Sequence, residues 1–507
     1  MLTALTALKT VLPNLNNINL IKTRTLYTVP ERYRNAFYLA NASLFDYTNW
    51  YIHKAYESCF KTVLNTVFTS YPNMTDNKAK LKVLDIINLL EPCSGVVDIS
   101  FPIKKTDGTY EVVQGYRAIH ALNLYEMPNL GGMRICSDLS KDHIRAFSIL
   151  ATYKHACFGI DMAGSHGGLK ISGYDYDSSD LKNIVVTYGK ELAKRGFLGH
   201  KVDVLEPDLY CTSNEMEWIS NTFAKTETAG IACAVGKTPE NGGIEMYDEA
   251  FGLGVMYALN LFMENKEVLN KLSWEGDLRG KTFLVQGLGK IGSQIARMLT
   301  RAGAMCIGVK EHDSYILMED GVPIDSLIKY KEDTGSIMEY NKYAKPGTTE
   351  QIFTEQCDIL VLSATHRSIQ CHVAERIKAK IIIEAAYSSL TPTAYKVLVA
   401  RNCLVLPDIF TGAGFSVASY LEYIKNVNNS PLNALVSRVL NLAITSQKQI
   451  LTDEEYLRKT IESMVTTTYE NILAHQKAYN LGLDIRTAAY TVAIEKIFAR
   501  ICAKQLF

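Results

Sequence analysis

The sequence predicts an α/β protein of more than one domain, one of them built on a doubly wound parallel sheet. Its 507 residues exceed what a single hydrophobic core usually serves. The first half opens with helical periodicity and changes to strand patterns near residue 96. The second half alternates short apolar runs with stretches of helical spacing, as βαβ units do. We therefore expect an N-terminal α/β domain, a Rossmann-type doubly wound domain and C-terminal helices.

In the first half, a helical layer is predicted to precede a β-hairpin. Residues 30–90 show helical periodicity and carry many aromatic side chains. Residues 96–103 and 110–116 alternate in the manner of strands, and the turn signal Asp107-Gly108 lies between them.

The clearest local motif is a glycine-rich turn between a strand pattern and a helical pattern. Residues 281–292 form an apolar run that ends in Gly-x-Gly-x-x-Gly. A second strand pattern follows and ends at an acidic residue, 19 positions beyond the last glycine. Such glycines let the backbone approach a pyrophosphate at a helix N-terminus, and the acidic residue accepts from a ribose hydroxyl. This context predicts dinucleotide binding, which the glycine spacing alone would indicate only weakly. The predicted cofactor-binding residues are Gly287, Gly289, Gly292 and Glu311.

Further strands and helices are predicted after this motif. Apolar runs at 357–362, 379–384 and 403–407 favour later strands of the same sheet. Residues from 453 onward favour helices, with a break at Gly482.

Composition excludes several classes of partner and site. The chain has 53 basic and 53 acidic side chains, which gives no electrostatic case for binding nucleic acid or an anionic membrane. No apolar run approaches the roughly 18 residues that span a bilayer. The eleven cysteines are scattered singly, which favours buried thiols in a reducing compartment over disulfides or a metal site.

The N-terminus has the composition of a targeting segment. The first acidic residue is Glu31, and Lys9, Lys22 and Arg24 precede it among hydroxylated and apolar residues. This predicts a mitochondrial transit peptide over residues 1–27 and a location in the mitochondrial matrix. A frayed tail without a targeting role is the alternative.

Dispersed stretches of the chain resemble the glutamate dehydrogenases, within the glutamate, leucine, phenylalanine and valine dehydrogenase family. The resemblance is closest to the animal mitochondrial type. The stretches are 131–134, 152–154, 191–197, 206–208, 215–218, the glycine motif, 419–422 and 480–490. The resemblance implies a substrate domain over 28–243, a Rossmann domain over 244–424 and a shortened antenna region with C-terminal helices over 425–507. It also implies a hexamer and NAD or NADP as cofactor.

The resemblance also assigns roles to residues that this chain keeps. Lys154 corresponds to the lysine that grips the substrate α-carboxylate, and Asp208 to the carboxylate that shuttles protons. Ser419 matches a serine that touches the substrate side chain, and Arg134 lies beside the cofactor. Alternatively, Lys154 and Asp208 form a structural ion pair or part of a solvated surface.

Other positions depart from the family pattern. In the glycine-rich stretch 163–170, which resembles the family's catalytic loop, His166 replaces the catalytic lysine. Leu130 replaces a substrate-binding lysine, and Tyr247 replaces a substrate-binding arginine. The segments 385–388 and 412–415 also differ from the family, and Tyr387 adds bulk where the family has an asparagine that points into the cleft.

The lost cations matter because the family's substrates, glutamate and 2-oxoglutarate, carry two carboxylates. Removing one partner of a buried charge pair costs about 2–5 kcal/mol, and three cations are missing. At about 2 kcal/mol for each of the three cations, the combined loss amounts to roughly four orders of magnitude in rate. An imidazole with a pKa of about 6.5 is a poor substitute for a lysine unless a carboxylate such as Asp208 lies against it.

Three functions stay open from the sequence. The first is an active NAD(P)-dependent glutamate dehydrogenase, which requires a charged His166 working with Lys154. The second is a dehydrogenase of apolar amino acids, since leucine and phenylalanine dehydrogenases carry leucine at the position of Leu130. The third, which we favour, is a mitochondrial protein of this family with greatly reduced or absent activity. It would act as a structural or regulatory subunit, in a homo-hexamer or in a hetero-hexamer with an active glutamate dehydrogenase.

Overall fold

The computed structural model describes residues 27–226, 229–347, 349–432 and 452–505. All but one residue of the predicted transit peptide, residues 1–26, therefore lies outside the described residues. A helical layer opens the described chain, as predicted. Ser43 is the N-cap of the helix Leu44–Ser70, and its side chain accepts from the backbone N–H of Asp46. The three helices are α1 (Glu31–Tyr38), α2 (Leu44–Ser70) and α3 (Asp76–Leu90).

The first domain is built on a five-stranded sheet with the order β1-β2-β4-β3-β5. Its strands are β1 (Gly95–Lys104), β2 (Tyr110–Ile119), β3 (Asn129–Ile135), β4 (Ser165–Leu169) and β5 (Asp203–Pro207). The first two form the predicted antiparallel hairpin, whereas β4 and β5 flank β3 in parallel. The sheet packs against α4 (Lys141–Phe158), α5 (Ser178–Lys194) and α6 (Ser213–Phe223).

The glycine-rich stretch 163–170 contains a strand, β4, and not the catalytic loop that the resemblance suggested. A Cβ at Gly168 would lie 1.9 Å from the carbonyl oxygen of Arg134, and the φ of this glycine is 147°. Only glycine therefore lets β4 lie so close to β3. As a consequence His166 lies on a rigid strand within the sheet.

The second domain is built on a seven-stranded sheet with the order β12-β11-β10-β6-β7-β8-β9. Five of its strands are parallel, which confirms the predicted doubly wound sheet. An antiparallel edge formed by β8 and β9 was not predicted. The strands are β6 (Thr282–Gln286), β7 (Met305–Lys310), β8 (Ser314–Leu317), β9 (Ala344–Pro346), β10 (Ile359–Leu362), β11 (Ile381–Glu384) and β12 (Leu404–Leu406).

Helices surround this sheet. They are α7 (Ala250–Met263), α8 (Lys266–Leu272), α9 (Lys290–Arg301), α10 (Ile324–Thr334), α11 (Cys371–Ala374), α12 (Pro392–Ala400), α13 (Asp408–Thr411) and α14 (Ala413–Asn428). The strand order reverses on either side of β6, and ligands of such sheets bind at that switch point.

The last two helices, α15 (Asp453–Ala478) and α16 (Ile485–Lys504), join the domains. α16 packs along α2 and α4 of the first domain. At its N-terminal end the buried Arg486 forms ion pairs with Glu384 and Asp408 of the second domain, at 2.7 Å in the case of Asp408. A buried arginine with two carboxylates therefore ties the C-terminal helix to the edge of the second sheet.

The predicted domain limits stay predictions, and the one at residue 424 falls within α14. None of the described helices combines the length and apolar character that crossing a membrane requires. Within the described ranges, no group of three or more His, Cys, Asp or Glu side chains is placed to hold a metal ion. The eleven cysteines all lie in the described part of the chain, and none of them forms a disulfide bond there.

Candidate functional site

The candidate site lies where the parallel strands of the first sheet end. Side chains alternate along a strand, so Gly132 and Arg134 of β3 share one face of the sheet. Glu206 pairs in register with Gly132 and shares this face, as does Asp208, which follows β5 directly. The ring of His166 covers Gly132, where a Cβ would lie 2.5 Å from the imidazole Cε1.

Arg134, Asp208 and His166 form a compact polar cluster. The Arg134 guanidinium donates from Nε to Oδ2 of Asp208 at 2.8 Å and from Nη2 to Oδ1 at 3.3 Å. Nε2 of His166 lies 3.1 Å from the same Oδ2. That contact is close enough for an ion pair, yet neither ring nitrogen makes a hydrogen bond of acceptable geometry within the described part of the chain. Arg134 is therefore the main hydrogen-bonding partner of Asp208.

Catalysis by a cation at residue 166 would require a protonated His166, and the cluster does not favour that charge state. Burial lowers the pKa of His166 to about 4, although the contact with Asp208 opposes the shift. Burial alone would raise the pKa of Asp208, but the interactions of Arg134 and His166 with its carboxylate together outweigh burial and hold that pKa well below its usual range. His166 is therefore neutral near pH 7 beside an ionised carboxylate.

Aromatic rings enclose the histidine. The ring of Phe147 on α4 lies 4.9 Å from that of His166, and the Arg134 guanidinium lies 4.3 Å above the same phenyl ring. Tyr387, from the loop after β11, places its ring 4.9 Å from Phe147 and 6.1 Å from His166. A side chain of the second domain thus closes the cleft over the imidazole and shields it from water.

Lys154 points from α4 toward the same tyrosine. Its Nζ lies 3.5 Å from the Tyr387 hydroxyl, and the lysine side chain is buried. Burial works against its charge, but the fields of Tyr387, Glu206 and Asp208 raise the pKa of Lys154 above its ordinary value. Lys154 therefore keeps its charge. It makes no ion pair with Asp208 among the described residues, contrary to the structural alternative.

A chain of three hydrogen-bonded side chains occupies the other end of the site. Ser419 of α14 donates to Oε2 of Glu206 at 2.9 Å. The Tyr247 hydroxyl lies 2.7 Å from the Ser419 Oγ and donates to it, because the serine proton is committed to the carboxylate. Glu206 is only 2% exposed, and burial raises its pKa. The sequence did not single out Glu206 as a site residue.

Two positions that depart from the family pattern carry apolar side chains, Leu130 and Phe415. Leu130 is fully buried in the main hydrophobic core. The ring of Phe415 lies 5.0 Å from that of Tyr247, edge to face. Within α14, the buried Glu422 accepts a hydrogen bond from Nζ of Lys237 at 2.6 Å. This contact anchors α14 to the loop that precedes Tyr247. This lysine is also committed to a partner.

The predicted fingerprint residues form a cradle at the switch point of the second sheet. Gly287 has a φ of 87°, and a Cβ at Gly292 would lie 1.9 Å from the Gly287 carbonyl oxygen. A Cβ at Gly289, the N-cap of α9, would meet nothing within 4 Å. Close packing at two glycines and open space at the third suit the approach of a pyrophosphate to the helix N-terminus.

Glu311 lies at the end of β7 beside this cradle. Its Oε1 accepts from the Leu288 backbone N–H at 2.5 Å and from Lys331 Nζ at 2.6 Å. Lys331 of α10 also donates to the Leu288 carbonyl oxygen at 3.2 Å. The lysine, which the sequence did not reveal, thus fixes the carboxylate against the glycine turn.

Comparison with known proteins identifies the family. A model described as "Glutamate/Leucine/Phenylalanine/Valine dehydrogenase" matches residues 242–434, and one described as "Glu/Leu/Phe/Val dehydrogenase, dimerisation domain" matches residues 94–225. The mitochondrial glutamate dehydrogenase of Dictyostelium discoideum is 30% identical over 82% of this chain and 80% of its own length. The chain belongs to the glutamate, leucine, phenylalanine and valine dehydrogenase family.

Other relatives of this dehydrogenase family agree with the assignment. The NADP-specific glutamate dehydrogenase of Saccharolobus shibatae is 27% identical over 83% of this chain and 92% of its own length. The structure of a hetero-hexameric glutamate dehydrogenase from Thermus thermophilus, in a leucine-bound form, superposes with a TM-score of 0.70. It is 25% identical and covers 87% of this chain and 95% of that chain. The resemblance predicted from the sequence is confirmed.

The structure brings most of the predicted site residues together within the family fold. Arg134, His166, Lys154, Asp208, Ser419 and Tyr247 line one cleft, whereas Leu130 lies in the core and the fingerprint residues lie across the cleft. Sequence reasoning missed Glu206, Phe147 and Lys331. A glutamate within the buried strand 203–207 was the one available signal, because an unpaired charge inside such a strand needs a partner.

The neutral state of His166 predicts a pH dependence of stability. The folded pKa of about 4 lies below the ordinary 6.5, so the unfolded chain binds more protons between these values and stability falls as the pH falls. Between pH 7 and pH 5 the imidazole should remove about 2 kcal/mol of stability. Urea unfolding of the wild type and His166→Gln at several pH values measures this difference.

The exposed His312→Gln variant, which removes an imidazole outside this cluster, serves as the matched control. Parallel pH curves for His166→Gln and the wild type would contradict this prediction, because they would show that the imidazole has the same pKa in the folded and unfolded protein.

Proposed function

We propose that this protein is a glutamate dehydrogenase-like member of the family with greatly reduced or absent dehydrogenase activity. It acts as a structural or regulatory subunit of a hexamer in the mitochondrial matrix. The observation that carries the proposal is that the polar side chains of the site, other than His166, are held in contacts with one another. Arg134 pairs with Asp208, Lys154 faces Tyr387, and Ser419 bonds to Glu206.

The chemistry of the family explains why this pairing matters. Hydride transfer at an amino acid α-carbon needs a cation that polarises the carbonyl or carbinolamine, and a neutral imidazole supplies none. Two substrate carboxylates also need cationic or multiple hydrogen-bonding partners when they leave water. Leu130 and Tyr247 offer no charge for this purpose. Binding of substrate would first have to break contacts that the protein already makes.

The cofactor class is NAD or NADP, which supplies or accepts the hydride in this family's reaction. Relatives named as NADP-specific and as NAD-specific glutamate dehydrogenases support this assignment. In this chain the backbone at Gly289 would receive the pyrophosphate, and Glu311 would accept from a ribose hydroxyl. The glycine cradle supports binding, whereas productive use of the cofactor depends on the altered cleft.

A second candidate is an active NAD(P)-dependent glutamate dehydrogenase that converts L-glutamate to 2-oxoglutarate and ammonium. The raised pKa of Lys154 and the ionised Asp208 favour it, since both groups hold the charge that their proposed roles require. Dehydrogenation of apolar amino acids is a third candidate, supported by the buried Leu130.

The subunit role is supported by the edge of the first sheet. β1 is the outer strand there, and the matching family model is described as a dimerisation domain. Tyr110 and Val112, on the neighbouring strand of the hairpin, are 74% and 69% exposed. Exposed apolar side chains beside an unpaired strand edge favour association with another subunit. The Thermus thermophilus relative, described as hetero-hexameric, supports a mixed assembly.

The matrix location is proposed from the N-terminal composition and from the mitochondrial relative of Dictyostelium discoideum.

The first prediction concerns turnover. Residues 28–507 should oxidise NADH and NADPH about four orders of magnitude more slowly than an active relative, with ammonium and either 2-oxoglutarate or 2-oxoisocaproate. His166→Lys alone should stay within about tenfold of the wild type, because the lost cations at positions 130 and 247 are still missing. Steady-state absorbance assays measure both proteins.

Gly289→Asp is the control for cofactor binding, since its side chain would place a negative charge in the open space at the helix N-terminus. It should weaken NADH binding, measured by fluorescence, without changing the unfolding midpoint. Fast turnover by the wild type with either keto acid would overturn the proposal and name the substrate.

The second prediction concerns assembly. A tagged copy of this chain, co-expressed with an active glutamate dehydrogenase, should retain that enzyme through purification as a mixed hexamer. Val112→Lys should reduce the retained activity, because it places a charge on the apolar sheet edge. Met338→Lys, at an exposed apolar position of the second domain, is the matched control and should have no effect. Light scattering that finds only monomers would contradict the subunit role.

A further inference from the structure

The feature that the proposed function leaves unexplained is the buried carboxylate of Glu206. It lies on β5 with its side chain on the same face of the sheet as His166 and Asp208. At 2% exposure it has almost no access to water, and a buried carboxylate is retained only where partners compensate for its desolvation.

The partners of Glu206 are the groups that a substrate carboxylate would use. Ser419, which by resemblance touches the substrate side chain, donates its proton to Oε2 of Glu206 at 2.9 Å. Lys154, which by resemblance holds the α-carboxylate, gains stabilisation of its charge from Glu206. Tyr247, at the position of a substrate-binding arginine, completes the chain through Ser419. Glu206 therefore interacts with residues expected at both ends of the substrate, its α-carboxylate and its side chain.

Three charged side chains act most directly on the Glu206 carboxylate. Lys154 and Arg117 stabilise its negative charge, and Asp208 opposes it. Arg117 lies on the opposite face of the sheet, where its guanidinium is committed to Asp203 at 2.7 Å and 2.9 Å. Lys154 is therefore the cation that Glu206 would share with an incoming anion.

We propose that Glu206 is a specificity-determining residue that occupies the place of a substrate carboxylate and excludes dicarboxylates such as glutamate and 2-oxoglutarate from the cleft. A second carboxylate at Ser419 would meet a like charge in a buried site, which costs several kcal/mol. The serine proton is also already committed, so the incoming group would lack a donor. The pocket instead tolerates monocarboxylic keto or amino acids, whose single carboxylate can reach Lys154.

This inference rests on the proposed function in locating the substrate site, but its test is a binding measurement and not an activity. Two probes of equal chain length separate charge from shape: 2-oxoglutarate, a dianion, and 2-oxopentanoate, which lacks the terminal carboxylate. Isothermal titration calorimetry with the purified protein and saturating NADH, in mildly alkaline buffer, gives the affinity for each.

Glu206→Gln should raise the affinity for 2-oxoglutarate by at least about tenfold, because it removes the negative charge while keeping the size of the side chain. The affinity for 2-oxopentanoate should change by less than about threefold. Glu206→Ala, which also frees the Ser419 hydroxyl, should raise the affinity for 2-oxoglutarate at least as much. Because the two variants differ in side-chain size, a folding defect in one of them does not decide the test. The unfolding midpoint of each variant shows whether it is folded.

Glu215→Gln is the matched control, since Glu215 is also a buried glutamate but caps α6 through Thr212. Glutamine keeps that capping role, so neither probe should bind differently. The inference is overturned if the wild type binds 2-oxoglutarate as tightly as 2-oxopentanoate, or if both Glu206 variants leave 2-oxoglutarate binding unchanged. Neither result touches the proposed lack of turnover. Conversely, fast turnover of 2-oxopentanoate would overturn that proposal while leaving the role of Glu206 standing.

Discussion

The ion pair between Arg134 and Asp208 sets the electrostatic state of the candidate site. It satisfies both oxygens of the carboxylate, so Asp208 stays ionised in a buried setting. Because the arginine already compensates Asp208, the nearby His166 gains too little to stay protonated, and burial keeps its ring neutral. The same guanidinium lies over Phe147, which encloses the histidine. The pair thus leaves His166 neutral, at the position where the proposed correspondence with the family expects a cation.

The cleft between the domains is bridged by side chains of the protein itself. Tyr387 reaches from the second domain to Lys154, and Ser419 of α14 reaches Glu206 of the first sheet. Farther from the cleft, Arg486 ties the C-terminal helix to Glu384. Each link consists of groups that are buried or half-buried, where an unpaired partner is costly. The fold of a dehydrogenase is therefore retained with its polar contacts turned inward, which agrees with a structural role.

The sequence predicted the elements whose signals are local. The hairpin, the glycine fingerprint and the parallel strands from residue 282 onward follow from alternation, turn residues and glycine spacing. It did not predict contacts that depend on partners distant in the chain. Glu206 meets Ser419 across 213 positions, and Arg486 meets Glu384 across 102. The stretch 163–170 was expected to form a loop from its resemblance to the family's catalytic loop, whereas its glycines allow strands to pack closely.

The most direct measurement of the central claim is a crystal structure of the protein grown with NADH and 2-oxoglutarate. The account predicts that Arg134 remains on Asp208, that Lys154 still faces Tyr387, and that no keto acid lies between them. Electron density for 2-oxoglutarate with a carboxylate on Lys154, and with Tyr387 displaced, would contradict it. Such a structure would show that the internal contacts yield to substrate and that the cleft is a working active site.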